Sequence, residues 1–489
     1  MGFFDRFRKK QDQQPKMFKR SYSAASTGRL FSDFKASDGS ADKDLETALK
    51  NLRNRSRDLA RNNEYVKRYL NLMKTNIIGS SGFNVQVKAI DSTGRLDMSG
   101  NQAVEDAFAQ WGRLGNCTVD GKLTWVDAQK LALETIIRDG ELFVVKHRGS
   151  SFKDTFAIEF IEADQIDEKK TEKLKGGSEI RMGIEFDRFK KPVAYHIKSS
   201  HPGDYHHSTH SSSETVRIPA DRIFHVYMPL RAGQSRGEPW LAPAMSAIKQ
   251  LGAFREAAIV NARIGASKMG FFTSPAGDGF VADDMDGNVP IMEVEPGTMH
   301  QLPNGIGFEK FDPDFPSNEF DVFHKSVLRG IASGLGVSYT ALSNDLEATS
   351  YSSIRQGALE ERDFYKDIQS FMIDHFIRPV FEAWLSAAME MNSFGIPIRQ
   401  YNRFAAKSHF RGKAWNWVDP FKEMNAAVTG LKNGILSIED VASQYGKDSE
   451  ELMSQIQRDR LLAEQFGIKY ALEPYGASFT PVIPDVSGD

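Results

Sequence analysis

The chain is organised around one continuous segment, which reads Glu319-Phe-Asp-Val-Phe-His-Lys-Ser-Val-Leu-Arg-Gly-Ile-Ala-Ser-Gly-Leu-Gly-Val-Ser-Tyr-Thr-Ala-Leu-Ser-Asn-Asp-Leu-Glu-Ala-Thr-Ser350. In its first half, apolar residues recur at steps of three and four, which is the period of one helix face. Gly334 and Gly336 then interrupt the pattern, and the small and polar residues that follow have no period. The segment therefore predicts a helix that leads into a loop over 338–350.

A second and longer helix is predicted to begin directly after this loop. Thr349 or Ser350 can cap it, because both side chains accept hydrogen bonds from the first backbone amides of a helix. Apolar residues continue on one face as far as Met391. Pro379 lies inside that run and predicts a kink, because proline lacks the backbone amide that a regular helix requires.

Composition excludes several classes of protein. The chain has 489 residues, a formal net charge of −3 and a single cysteine, Cys117. One cysteine rules out an internal disulfide and a multi-cysteine metal site. No apolar run approaches the roughly 18 residues of a membrane span, and the start lacks the apolar segment of a secretory signal. We therefore expect intracellular folding, no stable membrane insertion and, from the length, about three domains.

The N-terminal part divides into a tail and a basic helix. Residues 1–43 are polar and predict a flexible tail, although three phenylalanines with basic neighbours near its start leave contact with a membrane or a partner open. Over residues 44–74, a broken apolar stripe is interleaved with lysines and arginines. Such a face can meet phosphates, an acidic face of a neighbouring subunit, or solvent alone.

Residues 80–230 combine strand and helix patterns, which predicts a mixed α+β region. Thr124-Trp-Val-Asp127 fits a capping box, so a helix is predicted from there to Gly140. The predicted strands are 82–88, 141–147, 156–161, 181–186, 193–197 and 222–228. A polar loop, 199–214, carries four histidines. Its serine-rich setting offers no rigid scaffold, and we predict no metal site there.

The C-terminal half is mostly helical by pattern. A helix is predicted from about Ala242 to Ile264, and the segment 271–316 reads as short strands and turns. Asp419 and Pro420 begin another helix, since aspartate is a good cap and proline suits the first helical position. Two further helix starts are predicted, at Ser437–Asp440 and Asp448–Glu451.

Motifs of catalysis are missing from the sequence. Gly115 to Lys122 comes nearest to a Walker phosphate loop, but it has five intervening residues instead of four, and Leu123 replaces the required serine or threonine. The sequence contains no serine-hydrolase elbow, no zinc-protease helix and no acidic spacing typical of a two-metal nuclease. It favours a structural or binding role, with no catalytic residue, metal or cofactor predicted.

Several blocks of sequence, taken in order, resemble one family. They are Arg57–Tyr65 with Asn76–Gly79 and Gly82–Phe83, then Gly233–Pro243, Leu335–Tyr339 with Ser350–Ser353, and Trp417–Glu423. The ordered set is similar to the lambda-type portal proteins of tailed phages. The resemblance implies a ring, usually of twelve subunits, at one vertex of the capsid.

The resemblance also implies partners and a location. Double-stranded DNA passes through the channel of such a ring, pumped by a separate terminase, and leaves through it during ejection. The missing phosphate loop agrees with that division of labour. The implied protein partners are the terminase large subunit, the major capsid protein and scaffold, and a head–tail connector or adaptor protein. The implied location is the virion, after assembly in the host cytoplasm.

The subunit implied by the resemblance is α+β and largely helical, with a wing, a stem, a clip and a crown. The expected segments are a flexible tail (1–43), the wing (44–238), a first stem helix (239–270), the clip (271–316), a second stem helix (317–337), a tunnel loop (338–350), a long kinked wing helix with its connection (351–418), a helical crown (419–472) and a loose C-terminus (473–489). Ring closure requires heterologous interfaces, in which different surfaces meet head to tail.

Candidate channel residues lie in the second stem helix and the tunnel loop. They are Lys325, Arg329, Asn344, Thr349 and Ser350. The two basic residues lie one turn apart and can meet phosphates or form salt bridges to neighbouring stem helices. The other three would present small polar side chains to a moving duplex. Asp345 and Glu347 would repel phosphate and reduce friction.

Two other classes stay open at the level of sequence. Acidic residues together with the basic helix would also suit a subunit of a metal-dependent nuclease. The N-terminal phenylalanines would suit a membrane-associated or adaptor protein.

Overall fold

The structure is a computed structural model of the chain. It describes residues 38–204, 215–266, 320–347, 350–415 and 420–467, together with four short strands between residues 270 and 310.

Helices are the main elements. They are α1 (Ala41–Asn62), α2 (Glu64–Met73), α3 (Met98–Trp111), α4 (Trp125–Asp139), α5 (Met245–Ala266), α6 (Phe320–Gly334), α7 (Tyr339–Ser343), α8 (Tyr351–Met372), α9 (Arg378–Glu390), α10 (Tyr401–Ala405), α11 (Pro420–Lys432), α12 (Ile438–Gln444) and α13 (Ser449–Gln465). A π-helical turn follows α2, and another joins α8 to α9. Among the described residues, none of the helices combines the length and apolar character that crossing a bilayer requires.

Strands form small sheets in which all the named pairs are antiparallel. They are β1 (Asn84–Val87), β2 (Glu141–Arg148), β3 (Phe156–Ile161), β4 (Glu172–Lys173), β5 (Glu179–Arg181), β6 (Ile184–Phe186), β7 (Pro192–Lys198), β8 (Thr215–Pro219), β9 (Ile223–Tyr227), β10 (Gly270–Thr273), β11 (Asp284–Asp286), β12 (Val289–Ile291), β13 (Gly307–Lys310) and β14 (Ser408–Arg411). The sheet orders are β3-β2-β9 and β4-β5-β6-β7-β8, and the remaining pairs are β1-β14, β10-β13 and β11-β12. The α+β, largely helical class is therefore confirmed.

Local sequence signals account for several helix ends. The predicted capping box at α4 is confirmed, because the Asp127 amide donates to Thr124 Oγ1 at 3.1 Å. Gly140 ends α4 in the left-handed conformation, which glycine adopts without steric cost. At α12, the box formed by Ser437 and Asp440 is also confirmed. α11 begins at Pro420 as predicted; the predicted cap, Asp419, lies outside the described residues.

One predicted strand is wrong and several elements were not predicted. The single strand expected over 181–186 is two strands, because Met182 and Gly183 adopt φ angles of 44° and 83° and turn the chain between β5 and β6. α3, β4, β8 and β14 were missed. Pairing of β1 with β14 joins Asn84 to Arg411, and a contact between such distant residues leaves no local pattern.

The main core is rich in aromatic side chains from α3, α4 and the long helix. Phe108 lies 4.9 Å from Trp384 and 5.1 Å from Phe381, measured between ring centroids. Trp111 and Trp384 are fully buried. Large aromatic rings supply much buried apolar area for each ordered side chain, so these contacts fix α9 against α3. A smaller core around Phe143 is formed by side chains from the three-stranded and the five-stranded sheet.

The long helix is interrupted where the sequence predicts it. The π-helical turn Ile373–Ile377 separates α8 from α9, and Pro379 lies in the first turn of α9. Proline cannot donate a backbone hydrogen bond, and a π-turn absorbs the resulting irregularity. Trp384 and Leu385, which follow the proline, are fully buried.

Candidate functional site

The candidate site is the junction between α6 and α8, formed by residues 335–350. Gly336 lets the chain turn close to α8. Its φ is +71°, and a Cβ atom at this position would lie 3.2 Å from the ring of Phe364. A larger residue would therefore be both strained and crowded here.

α7 lies inside the segment that the sequence predicts to be an aperiodic loop. Ser338 caps this five-residue helix, because its Oγ accepts a hydrogen bond from the Ala341 amide at 3.1 Å. The Ser338 amide in turn donates to Glu361 of α8 at 2.6 Å. Leu342 is buried and holds α7 against the core. The first part of the junction is thus fixed to the body of the subunit.

Asn344 and Ser350 mark the ends of the remaining turn. Asn344 adopts a left-handed φ of 57° and ends α7, and its amide donates to the Thr340 carbonyl at 2.9 Å. Ser350 caps α8, because its Oγ accepts from the Ser353 amide at 3.2 Å. Both candidates are exposed, and both stabilise helix ends. Thr349, the other candidate cap, lies outside the described residues.

Lys325 on α6 is surrounded by carboxylates of its own chain. Its Nζ lies 2.8 Å from Asp321 Oδ2, 3.6 Å from Glu347 Oε2 and 3.8 Å from Asp345 Oδ2. The hydrogen bond to Asp321, with the charges of the other two acids, raises the pKa of Lys325. Lys325 therefore ties the turn after α7 to α6. The salt bridges that Lys325 forms in this structure are therefore within its own subunit.

Asp345 is held from two sides. The Tyr339 hydroxyl donates to Asp345 Oδ2 at 2.7 Å, and the Glu347 amide donates to Oδ1 at 2.9 Å. These hydrogen bonds, that of Tyr339 first, lower the pKa of Asp345. Its charge therefore stabilises the turn from within.

Arg329 presents its charge to solvent. Its guanidinium lies over the ring of Tyr339, 5.3 Å from the centroid, and the residue is exposed. Stacking on a ring orients an arginine without neutralising it. Within the described part of the chain, no carboxylate lies at ion-pair distance from Arg329, so its charge is less compensated than that of Lys325.

Arg68 also lies at the junction, although it is not among the candidate residues predicted from the sequence. It lies on α2, is exposed, and its Nε donates to the Ala341 carbonyl of α7 at 3.1 Å. α7 therefore lies between an arginine from α2 and an arginine from α6. The two side chains are 261 positions apart in the printed sequence. The only sequence signal was the basic character of residues 44–74, which does not indicate which charges reach the junction.

Part of that basic helix faces the interior, where two of its arginines pair with carboxylates. Arg57 donates two hydrogen bonds to Asp139, both of 2.9 Å. Arg53 is fully buried, with Glu141 at 3.5 Å and Glu168 as a hydrogen-bond partner. Charges are costly to bury unless they are paired, so these arginines are committed to the interior and cannot meet phosphate.

Glu141 is the centre of this buried ionic cluster. Arg236 donates to it at 2.9 Å and 2.6 Å, and the Gly237 amide donates at 3.1 Å. Burial alone would raise the pKa of Glu141, but Arg236 and His225 outweigh burial and hold that pKa well below its ordinary value. Arg57 and Arg236 belong to two of the sequence blocks that carry the family resemblance. Those two blocks therefore each contribute an arginine to the buried ion pairs of the subunit.

His201 is the described member of the histidine-rich loop. One ligand atom each from Glu162, Asp164 and His201 lie within 4.8 Å of one another. Arg57 Nη1 lies 2.6 Å from Asp164 Oδ2 and 3.4 Å from Glu162 Oε2, so a guanidinium already takes the place of a cation. The other three histidines lie outside the described residues. The geometry does not assign a metal here.

Comparison with known proteins gives a consistent set of relatives. The family model "Phage portal protein, lambda family" matches residues 27–369. A probable portal protein of Halomonas phage phiHAP-1 is 35% identical over 462 residues, covering 92% of this chain and 88% of the relative. Portal protein B of Escherichia phage lambda is 23% identical over 460 residues, covering 85% of this chain and 84% of the relative.

Solved structures give more distant likenesses. A chain from the neck of an empty gene transfer agent particle, computed with C6 symmetry, has a TM-score of 0.43 at 13% identity, covering 80% of this chain and 93% of its own length. An HK97 family phage portal protein from Corynebacterium diphtheriae has a TM-score of 0.31 at 10% identity, covering 74% of this chain and 94% of its own length.

Proposed function

Because this chain belongs to the lambda family of phage portal proteins, we propose that it forms the ring-shaped DNA channel at one vertex of a phage capsid. The observation that carries the proposal is 35% identity to a probable portal protein across 92% of the chain, together with the family match. The ring has about twelve subunits and heterologous interfaces. Its role is structural, and the subunit supplies no catalytic residue and no cofactor.

The pairing of α5 with α6 supports their assignment as the stem. Phe254 stacks on Phe320 with a centroid distance of 5.3 Å and meets Phe323 edge-on at 5.1 Å. At 1.5 Å per residue, α5 is about 33 Å long and α6 about 22 Å. The strands between residues 270 and 310 belong to the clip, α8 and α9 to the wing, and α11 to α13 to the crown.

The junction after α6 supplies the DNA-facing tunnel loop. Arg329 and Arg68 contact phosphates as the duplex passes, because both guanidinium groups are exposed beside α7. Lys325 holds the turn in place. Asn344 and Ser350 set its two ends, and Thr349 stays a candidate contact. A loop fixed at both ends can approach a moving duplex without gripping it.

The channel works with partners that this chain does not contain. A separate terminase large subunit supplies the energy for packaging. The major capsid protein and scaffold position the ring during assembly in the host cytoplasm, and a head–tail connector or adaptor protein binds it in the virion. Ejected DNA leaves through the same channel.

The first experiment is native mass spectrometry of the purified full-length chain, with negative-stain imaging of the same sample. We expect a ring of about twelve copies with a central hole. A chain that stays monomeric under all conditions, including with scaffold and capsid protein, would contradict the proposal. Metal-dependent DNA cleavage that is lost when one acidic residue is replaced would point to a nuclease instead.

A further inference from the structure

The N-terminal end of α1 is anchored to the subunit by side-chain hydrogen bonds. The Ser235 amide donates to Asp42 Oδ1 at 2.7 Å, and Arg181 Nη1 donates to Asp42 Oδ2 at 3.0 Å. Just before the helix, Arg231 Nη2 donates to the Gly39 carbonyl at 3.1 Å. These contacts fix the point from which the chain continues towards its N-terminus.

A cleft with a volume of about 120 Å³ lies beside this anchor. Arg181 and Ser235, two of the anchoring residues, also line it. Its apolar walls are Phe186, Pro192 and Tyr227. An engineered apolar cavity of roughly 150 Å³ holds one benzene molecule. The cleft is therefore of the size that one aromatic side chain fills.

The polar groups that line the cleft are mostly paired already. The Tyr227 hydroxyl donates to the Gln234 carbonyl at 2.7 Å, and Arg181 pairs with Glu179. Lys190, at the rim, is exposed, and among the described residues no carboxylate lies at ion-pair distance from it. An occupant of the cleft therefore meets apolar walls and one positive charge at the rim.

The segment that precedes Asp38 lies outside the described residues, and its sequence contains a ring at a suitable distance. It reads Leu30-Phe-Ser-Asp-Phe-Lys-Ala-Ser-Asp38. Phe34 is the first large apolar residue before Gly39, and it lies five positions away. An extended chain of that length spans about 17 Å. The cleft shares two side chains with the anchor of α1, so this length is enough to reach it.

We propose that Phe34 fills the cleft of its own subunit and that Asp33, beside it, pairs with Lys190. The occupant is the same chain because the anchor at Asp42 brings the segment to the edge of the cleft. The family match begins at residue 27 and so includes this segment. The docked segment ties the N-terminus to the five-stranded sheet, and the inference does not depend on the proposed ring.

Thiol labelling of the cleft wall tests this docking. Full-length Pro192→Cys is treated with a maleimide, alone and combined with Phe34→Ser. The native Cys117 is fully buried, and burial raises the pKa of its thiol to about 12, so it does not react. We expect labelling to be faster by about tenfold or more with Phe34→Ser, because burial of a phenylalanine favours the docked state by at least about that factor.

A second probe and two controls accompany this measurement. Lys190→Cys, at the rim, should respond to Phe34→Ser in the same direction as Pro192→Cys. Phe31→Ser replaces the preceding phenylalanine and should leave both probes slow. Met391→Cys, at a position 58% exposed just after α9, should label at one rate with and without Phe34→Ser. A parallel rise at Met391→Cys would indicate general loosening of the fold and overturn the docking.

The remaining outcomes are equally decisive. If both cleft probes label at the same rate with and without Phe34, the docking is overturned. Faster labelling with Phe31→Ser alone would overturn the choice of Phe34. If an excess of natural chains restores slow labelling to the Phe34→Ser, Pro192→Cys chain, the segment of a neighbouring subunit fills the cleft, and docking within one chain is overturned. Labelling needs no ring, so failure of the proposed function leaves this result readable.

Discussion

Charged side chains in this subunit separate into buried pairs and exposed groups, and single substitutions act differently on the two. Arg236 and Glu141 are both fully buried. Arg329 and Arg68 are exposed on either side of α7. Removing a buried partner leaves an uncompensated charge, whereas removing an exposed one changes the interaction with a ligand.

Loss of the buried arginine is expected to destabilise the fold. Arg236→Met leaves Glu141 buried without its main partner, which costs about 3–5 kcal/mol of unfolding free energy. Arg217→Met is the control, because its pair with Glu185 is 48% exposed on the arginine side and should change stability by less than about 1 kcal/mol. Urea unfolding followed by circular dichroism measures both. If Arg236→Met and Arg217→Met lose equal unfolding free energy, Glu141 is not the centre of a buried ionic cluster.

Loss of the exposed arginines is expected to weaken DNA binding without changing the fold. For Arg329→Gln and Arg68→Gln, the slope of log affinity against log salt should fall by about 0.9 for each lost phosphate contact. The measurement is binding of a short duplex to purified rings over a salt series. Arg217→Gln is the control, because Arg217 lies on β8 and outside the junction, and it should leave the slope unchanged. If the slope is unchanged in the two junction variants, Arg329 and Arg68 do not contact DNA phosphates.

The stability of the protein should depend on pH through Glu105, and the direction of its pKa shift sets the sign of that dependence. Burial, with the nearby Asp448 and Glu451, raises its pKa from 4.5 to about 7. Because the folded pKa is raised, the contribution of Glu105 to stability is fully present below pH 4.5 and is lost as the pH rises through 7. Glu105→Gln keeps the oxygen that accepts from the Val87 amide at 2.6 Å.

The glutamine variant should therefore match the natural chain at pH 4, below the ordinary pKa of 4.5. At pH 8 it should be more stable by on the order of 1 kcal/mol, after allowance for solvent screening. Urea unfolding at the two pH values measures the difference. If the difference in unfolding free energy between the two proteins is the same at both pH values, Glu105 ionises freely in the folded protein.

At the scale of elements, the end of α4 depends on a close backbone approach. Gly140 has a φ of +90°, and a Cβ atom there would lie 2.2 Å from the carbonyl carbon of Glu238. Gly140→Ala should cost about 1–3 kcal/mol for the backbone conformation alone, and more for the displaced loop. Gly252→Ala in α5 is the matched control, since nothing lies within 4 Å, and should be neutral or stabilising by about 0.5–1 kcal/mol.

Element types were largely predictable because their signals are local. The α4 capping box, the start of α11 at Pro420 and the interruption near Pro379 all depend on residues within one or two helical turns. α7 was not predictable, because its stability comes from burial of Leu342 and from the bond between Ser338 and Glu361 of α8. A five-residue helix has too few residues to show a period.

At the scale of the whole molecule, the tunnel loop is expected to be separable from ring assembly. Deleting residues 345–349 keeps Asn344, which ends α7, and Ser350, which caps α8. Rings should form in normal yield, whereas packaging or retention of DNA should fall. Native mass spectrometry and nuclease-protected DNA in assembled particles measure the two effects. Loss of rings would make this turn a structural joint.

The sequence by itself determined the class of the fold, the bounds of most helices and the family, because periodicity, caps and ordered motifs are properties of neighbouring residues. Only the tertiary structure decided which charges remain available to a ligand. Arg53 and Arg57 look like Arg68 in the sequence, but the first two meet buried carboxylates and the third reaches α7. The difference arises from partners that lie about 80 to 270 positions away, and pairing over such distances is set by packing and by the cost of burying a charge.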